Sequence, residues 1–414
     1  MKFSSAFKQW WLLGVLIAVI LLPILLRSST RDLGALKGRP LVIITPHNES
    51  IREEFGRAFT KWHLAKTGEM ARVDWRSPGG TSEITRYLEG EFYASFQYYW
   101  TKTLGHPWSS QVQGAYANSR VTIDNSPEDD TLEQKARRAF LTSNVTSRID
   151  LFFGGGAFDY QRQAAAGRLV SSGFVEEHPE TFNDRVIPQS LGGETFWDKD
   201  GLWIGACLGA FGICSNRDAL ERIGLTEPPV RWTELADPRY LHEIALANPT
   251  QSSSVNKAFE MLIQQQMRNA VTLTKRKAGG SLTPEQEAEA VRGGWTAAMQ
   301  LLQKIGANAR YFTDSSTKIA LDVAAGEATA GMTIDFYGRF ESEAVRQSDS
   351  SSRLFYVDAV AGTSAGADPI GMLRGAPHPE LAKSFIAFVS HLADEQQPEF
   401  VCAMASGSFG RTSD

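Results

Sequence analysis

The feature that most constrains this chain is a change of hydrophobic period that recurs along it. Short β-branched runs give way to amphipathic stretches, and the runs then return. Residues 41–45 (LVIIT) read as a buried strand. After a turn at 46–48, Ile51, Phe55, Ala58, Phe59 and Trp62 keep one helical face apolar, and Ser50-Ile51-Arg52-Glu53 matches an S-x-x-E capping box. Residues 71–75 predict a second strand, and the glycine turn at Gly79-Gly80 leads into a short helix that Gly90 can terminate. Residues 149–153 predict a strand ending in Gly154-Gly155-Gly156, with a helix after it that stops at Gly167. Further strands are expected over 244–247, 328–334 and 354–360. Further helices open at Ser252 and span 316–325 and 379–392. Residues 91–148 break the rhythm and read as an insertion with helical pieces. Strands alternating with helices imply parallel βαβ units and an open α/β sheet, in which ligands bind beyond the carboxyl ends of strands.

Composition removes several alternatives. The chain has 414 residues, 21% of them charged and 42% apolar, which excludes a disordered chain, a collagen and a polytopic membrane protein. The length suggests two or three domain-sized units. Three cysteines make no disulfide framework, and Cys207 and Cys214 read as small core residues. A formal net charge of −5 offers no basic field for nucleic acid. The first thirty residues are different material. Lys2 and Lys8 precede an uncharged run over residues 10–26, a basic n-region followed by an h-region. No A-x-A site follows, so an uncleaved signal anchor is favoured over a cleaved signal peptide, and an extracytoplasmic protein held at the inner membrane is expected.

Three segments are candidate anion cradles: Gly79-Gly80-Thr81-Ser82, Gly154-Gly155-Gly156 and Ser252-Ser253-Ser254. Each would open a helix with free backbone amides, where the dipole favours negative charge. Ordinary turn glycines and N-caps would look the same. His47 directly follows the first strand, and Asp335 and Tyr337 end another. A phenol and a carboxylate there can ligate a hard cation or hydrogen-bond an oxyanion. The sequence contains no G-x-S-x-G elbow, H-E-x-x-H or P-loop.

With these residues in view, the chain resembles the bacterial extracellular solute-binding proteins of ABC importers, family 1, the group that includes ferric-ion-binding proteins. The matching stretches include LVIITPHNESIREEFGRAFTKWH, VDWRSPGGTSEITRYL, IDLFFGGGAFDYQRQAAAGRLV, RWTELADPRYLHEIALANPTQSSSVNKAFEMLIQQ, VAAGEATAGMTIDFYGRF and ADPIGMLRGAPHPELAKSFIAFV. The resemblance implies a type II periplasmic-binding-protein fold, two α/β lobes with a hinge and an interlobe cleft. The first lobe would comprise 41–206 and 358–394, and the second 207–357. An anchor or signal peptide (1–31) and a tether (32–40) would precede them. Residues 395–414 read as a tail, where truncation or a frameshift is one explanation.

The resemblance further implies ligand-binding roles for His47, Gly80, Thr81, Ser82, Gly154, Gly155, Ser252, Ser253, Ser254, Asp335 and Tyr337. His47 and Tyr337 fall where ferric-ion-binding members have metal ligands. Phe336 replaces the adjacent tyrosine of those members, so one phenol with hydroxyls and backbone donors suits an oxyanion or an anion-chelated metal better than bare iron(III). The expected function is capture of a small solute (iron(III) or its chelate, a phosphonate or another oxyanion) and delivery to a permease with its ATPase. No cofactor and no chemistry are implied. Two rivals share the scaffold: a membrane-anchored sensor, and an exported hydrolase built on His47 with Ser82.

Overall fold

A computed structural model of the chain describes residues 38–123, 126–348 and 351–391. The expected anchor at 10–26 and the tail at 395–414 lie outside the described residues. Among the described residues no helix is long and apolar enough to cross a membrane.

In chain order the main strands are β1 (Arg39–Ile44), β2 (Ala71–Arg76), β3 (Leu151–Phe153), β4 (Leu169–Val170), β5 (Ile204–Gly209), β6 (Phe211–Asn216), β7 (Ile244–Ala247), β8 (Ala309–Thr313), β9 (Ala330–Ile334), β10 (Leu354–Asp358) and β11 (Gly366–Leu373). The helices that matter below are α1 (Glu49–Thr67), α2 (Thr81–Tyr98), α3 (Leu132–Thr142), α4 (Ala157–Ala166), α5 (Ser253–Ala278), α6 (Pro284–Ala307), α7 (Ser316–Ala324), α8 (Asp335–Ala344) and α9 (Pro379–His391).

Two main sheets result, one per lobe, beside two short two-stranded ones. The first runs β2-β1-β3-β11-β4, with β5 also paired to β11. Its β1, β2 and β3 are parallel, and β11 runs against β3, β4 and β5. The second runs β8-β7-β9-β6-β10, with β6 antiparallel to both β9 and β10. The chain passes from one sheet to the other at Ala210, between β5 and β6, and returns between Asp358 and Gly366. The α/β make-up is what the period changes predict, and its division into two lobes is what the resemblance implies.

Aromatic packing fixes the helices onto the first sheet. Phe55, Phe59, Phe153, Phe385 and Phe388 from α1, β3 and α9 are nearly or fully buried in one cluster, with ring centroids 4.9 Å apart for Phe59 and Phe385. Edge-to-face pairs at such distances add to area burial. On the opposite face Phe92, Phe96, Phe140 and Tyr160 are fully buried, drawn from α2, α3 and α4. Residues 91–148 are thus packed onto this face of the first sheet, sharing one core with Ile44, Phe152 and Leu373.

Three local expectations need correction. The helix after Gly80 is not short: α2 continues through Gly90 to Tyr98. Phe92 and Phe96 repay their burial on the same face, which outweighs the helix-interior glycine. Ser50 is not the cap of α1. Asn48 is extended, and its Oδ1 accepts from the Ile51 amide at 3.0 Å, leaving Ser50 inside the first turn. Asp335, Phe336 and Tyr337 do not end a strand but form the first turn of α8.

Candidate functional site

The carboxyl ends of the parallel strands of both lobes meet across the cleft, and each is followed by a helix N-terminus. From the first lobe come the loop after β1, with His47, and the starts of α2 at Gly80 and α4 at Gly156. From the second come the starts of α5 at Ser252, α7 at Ser315 and α8 at Ile334. The N-cap residues Gly80, Gly156, Ser252 and Ile334 make no side-chain cap hydrogen bond. The first amides of an α-helix have no partner within it, so such termini can offer donors to something else; at α8 they are already taken, the Asp335 amide by the Ala210 carbonyl and the Phe336 amide by Asp335 Oδ1. Ser315 differs: its hydroxyl accepts from the Thr317 amide.

Where the lobes touch, a gap of about 10 Å³ remains, room for about one water. His47, Thr81, Gly155 and Asp368 line it from one side, and Ser252, Ser315 and Tyr337 from the other. Asp368 organises the first-lobe side. The register of β11 against β5 shifts between Asp368 and Pro369. Such a bulge re-aims a side chain. Here Asp368 Oδ1 accepts from the Gly155 amide at 2.9 Å, and Oδ2 lies 2.8 Å from His47 Nε2. A carboxylate accepts, so Nε2 carries the proton. Nδ1 is then left to accept from the Thr45 hydroxyl, 2.9 Å away. That hydroxyl in turn accepts from the His47 amide at 3.2 Å.

Glycine is obligatory in this loop. Gly154 and Gly155 have φ of +90° and +112°, and a Cβ on them would meet the His47 ring at 2.5 Å and Thr81 Cγ2 at 2.7 Å.

Beside the gap opens a cavity of about 480 Å³. Gly155 and Asp368 line both spaces, and Ser82, Gly156, Asp159, Ser253, Asn256 and Lys257 line the cavity. The cavity's rim is tied across the lobes. Lys257 Nζ on α5 lies 2.7 Å from Glu194 Oε1, on a short hairpin preceding β5. Glu194 also accepts from the Ser364 hydroxyl at 3.2 Å. Burial works against the Lys257 charge, but Glu194 and Glu260 outweigh it and hold the ammonium above its ordinary value. Asp159, in the first turn of α4, is pushed up by burial, against the opposing pull of the Ser253 hydroxyl and Arg162.

Of the residues singled out in the sequence, His47, Gly80, Thr81, Gly155, Ser252 and Tyr337 line the gap, and Ser82, Gly155 and Ser253 line the cavity. Gly154 backs onto His47. The side chain of Ser254 lies outside the described residues. Asp335 lines neither space. Its Oδ1 accepts from the Phe336 amide at 2.7 Å, and burial raises its carboxyl to about 6. His47 has both ring nitrogens engaged with Thr45 and Asp368, which suits neither a metal ligand nor a base for Ser82. Burial, with the charge of Asp368, holds the Tyr337 phenol well above its ordinary value, which disfavours the phenolate an iron ligand would need. Among the described residues no group of three or more His, Cys, Asp or Glu could hold a metal ion.

Reading the sequence alone missed Asp368, Asp159, Glu194 and Lys257. Asp159 lies just three residues beyond the triple glycine, at the third position of the helix it opens, and could have been found there.

Residues 147–397 match a protein family described as bacterial extracellular solute-binding protein. An uncharacterized protein of Haemophilus influenzae is 24% identical over 239 residues, which are 58% of this chain and 57% of that one. The chain thus spans little more than half the length of that relative. Among solved structures, the periplasmic binding protein AfuA of Actinobacillus pleuropneumoniae, with exogenous fructose-6-phosphate bound, is similar at a TM-score of 0.57 and 18% identity. That alignment covers 90% of this chain and 85% of AfuA. The periplasmic binding protein P5PA is similar at 0.52 and 14%, covering 89% of this chain and 87% of P5PA. At such identities the two structures speak to the fold, and their two-lobed form agrees with the sheets described above. With the match over 147–397, the chain belongs to the bacterial extracellular solute-binding protein family.

Proposed function

We propose that this protein is the substrate-binding component of an ABC importer, and that it takes a small anionic solute in the cleft for delivery to a membrane permease. The observation that carries the reading is the convergence of helix N-termini from both lobes, at Gly80, Gly156 and Ser252, on one gap and its adjoining cavity. Helix N-termini without side-chain caps, drawn from two bodies into one cleft, make a divided anion site. A solute spanning them gains hydrogen bonds that neither lobe supplies alone, so binding shifts the population toward the closed arrangement. A permease that engages the closed form then receives loaded protein.

The engaged nitrogens of His47 and the neutral phenol of Tyr337 favour an oxyanion over iron(III). Phosphate esters head the candidates, since AfuA was solved with fructose-6-phosphate. Family membership supports an extracytoplasmic location.

Calorimetry on the purified protein tests this. The panel holds inorganic phosphate, phosphate esters, phosphonates, carboxylates and ferric citrate. We expect at least one phosphorus oxyanion to bind with a dissociation constant at or below about 10 μM, roughly −7 kcal/mol. Binding of ferric citrate alone, or of no anion, would overturn the reading.

A further inference from the structure

Among the described residues that line the cavity, one buried side-chain atom has no hydrogen-bond partner. Asp159 is only 5% exposed and lines the cavity, and its Oδ2 is buried with no hydrogen-bond partner. Burial pushes its carboxyl up, against the opposing pull of the Ser253 hydroxyl, Arg162 and the Gly156 amide, and Oδ2 has no hydrogen-bond partner. The other acidic groups nearby are committed. Glu194 holds Lys257 and Ser364, Glu260 also faces Lys257, and Asp368 holds His47 and the Gly155 amide. Asp159 is thus the cavity's vacant acceptor, and it stands in the same first turn of α4 as the amides that would hold an anion.

An empty carboxylate oxygen beside an anion-binding terminus repels a bare oxyanion. It is satisfied by a guest that carries a donor a few bonds from its negative group. The surroundings narrow that donor. The Phe158 ring, 66% exposed, lines the same cavity and offers an apolar face on which the C–H side of a polyol can lie. The Asn256 amide lines it too, supplying both a donor and an acceptor for vicinal hydroxyls. A volume of about 480 Å³ holds far more than an inorganic oxyanion.

We propose that Asp159 accepts a hydrogen bond from a hydroxyl group of the bound solute, and that the solute is a polyhydroxylated phosphate ester. The inference rests on the anion reading above and adds the substrate class and the residue that selects it.

The test compares ligands that share the phosphate and differ in hydroxyls: inorganic phosphate, propyl phosphate, glycerol 3-phosphate and a hexose phosphate, with phosphoethanolamine as the amine-bearing control. We expect the native protein to bind the hexose phosphate at least about tenfold more tightly than propyl phosphate, because a site built around a hydroxyl rejects the analogue that lacks it. Asp159→Asn should erase at least about tenfold of that preference, while propyl phosphate, relieved of the neighbouring negative charge, should bind the variant no more weakly than the native protein. Ser253→Ala, which keeps the carboxylate, should leave the preference in place. The melting temperature of each ligand-free variant reports whether it has folded.

Equal binding of propyl and hexose phosphates by the native protein overturns the inference and leaves the anion reading standing. So does an Asp159→Asn variant that weakens both ligands alike and matches Ser253→Ala, since Asp159 then only latches the lobes. Phosphoethanolamine as the tightest ligand overturns it in favour of an ammonium. Failure of every anion to bind removes the anion reading, and this inference falls with it.

Discussion

Buried carboxylates in this cleft meet different fates according to what faces them. Asp368 has a ring N–H and an amide, one on each oxygen. Asp335 sits 6% exposed at the start of α8 with one amide, and burial raises it from 3.8 to about 6 against the pull of the Phe336 and Ala210 backbone. Asp358 adds to the rise and Arg339 opposes it. Between those two values the folded protein binds more protons at this site than the unfolded chain does. Stability therefore falls as pH rises through the window, by about 3 kcal/mol in full. Asp335→Asn keeps the acceptor for the Phe336 amide and cannot ionise. In urea denaturation from pH 4 to 7, the variant should gain on the native protein by about that amount as pH passes 6. A stability difference that does not change with pH would show that Asp335 does not titrate in this range.

At the scale of elements, sequence patterning was legible wherever one face is buried over several turns, and illegible where a single residue or a distant partner decides. The strands at 41–45 and 244–247 and the helix ending at Gly167 need only local period and a stop signal. Gly90 is the opposite case. Local propensity reads it as an end, yet Phe92 and Phe96 bury beyond it and carry α2 to Tyr98. The cleft residues split the same way. Gly80, Thr81, Ser252 and Ser253 announce themselves as helix starts. The Asp368–His47 contact spans 321 residues and depends on a bulge in β11, so no local signal carries it. Gly90 also yields a prediction. It is exposed, lies inside a helix, and a Cβ there would meet nothing within 4 Å. Gly90→Ala should raise stability by about 0.5–1 kcal/mol through the unfolded chain's lost freedom, read from the urea midpoint at unchanged m. A loss of stability would mean that α2 does not continue through this position in solution.

For the whole molecule, the proposed function depends on how closely the lobes approach, and Gly80 lies where they come close. Gly80 has an ordinary φ of −68°, so its backbone does not demand glycine. Its surroundings do. A Cβ would lie 2.5 Å from the Gln251 carbonyl oxygen and 2.8 Å from that of Asp314, both second-lobe backbone atoms. The Lys257–Glu194 pair joins the same two lobes. Alanine at position 80 should therefore leave each lobe intact and keep the two from meeting. The melting temperature of ligand-free Gly80→Ala should stay within about 2 °C of native, since no core contact changes. Affinity for the tightest ligand of the native protein should fall at least about tenfold, because the competent closed state becomes rare. Small-angle scattering at saturating ligand should return a larger radius of gyration than native. Native affinity in this variant, with native compaction, would show that the two lobes need not approach this closely to hold a solute.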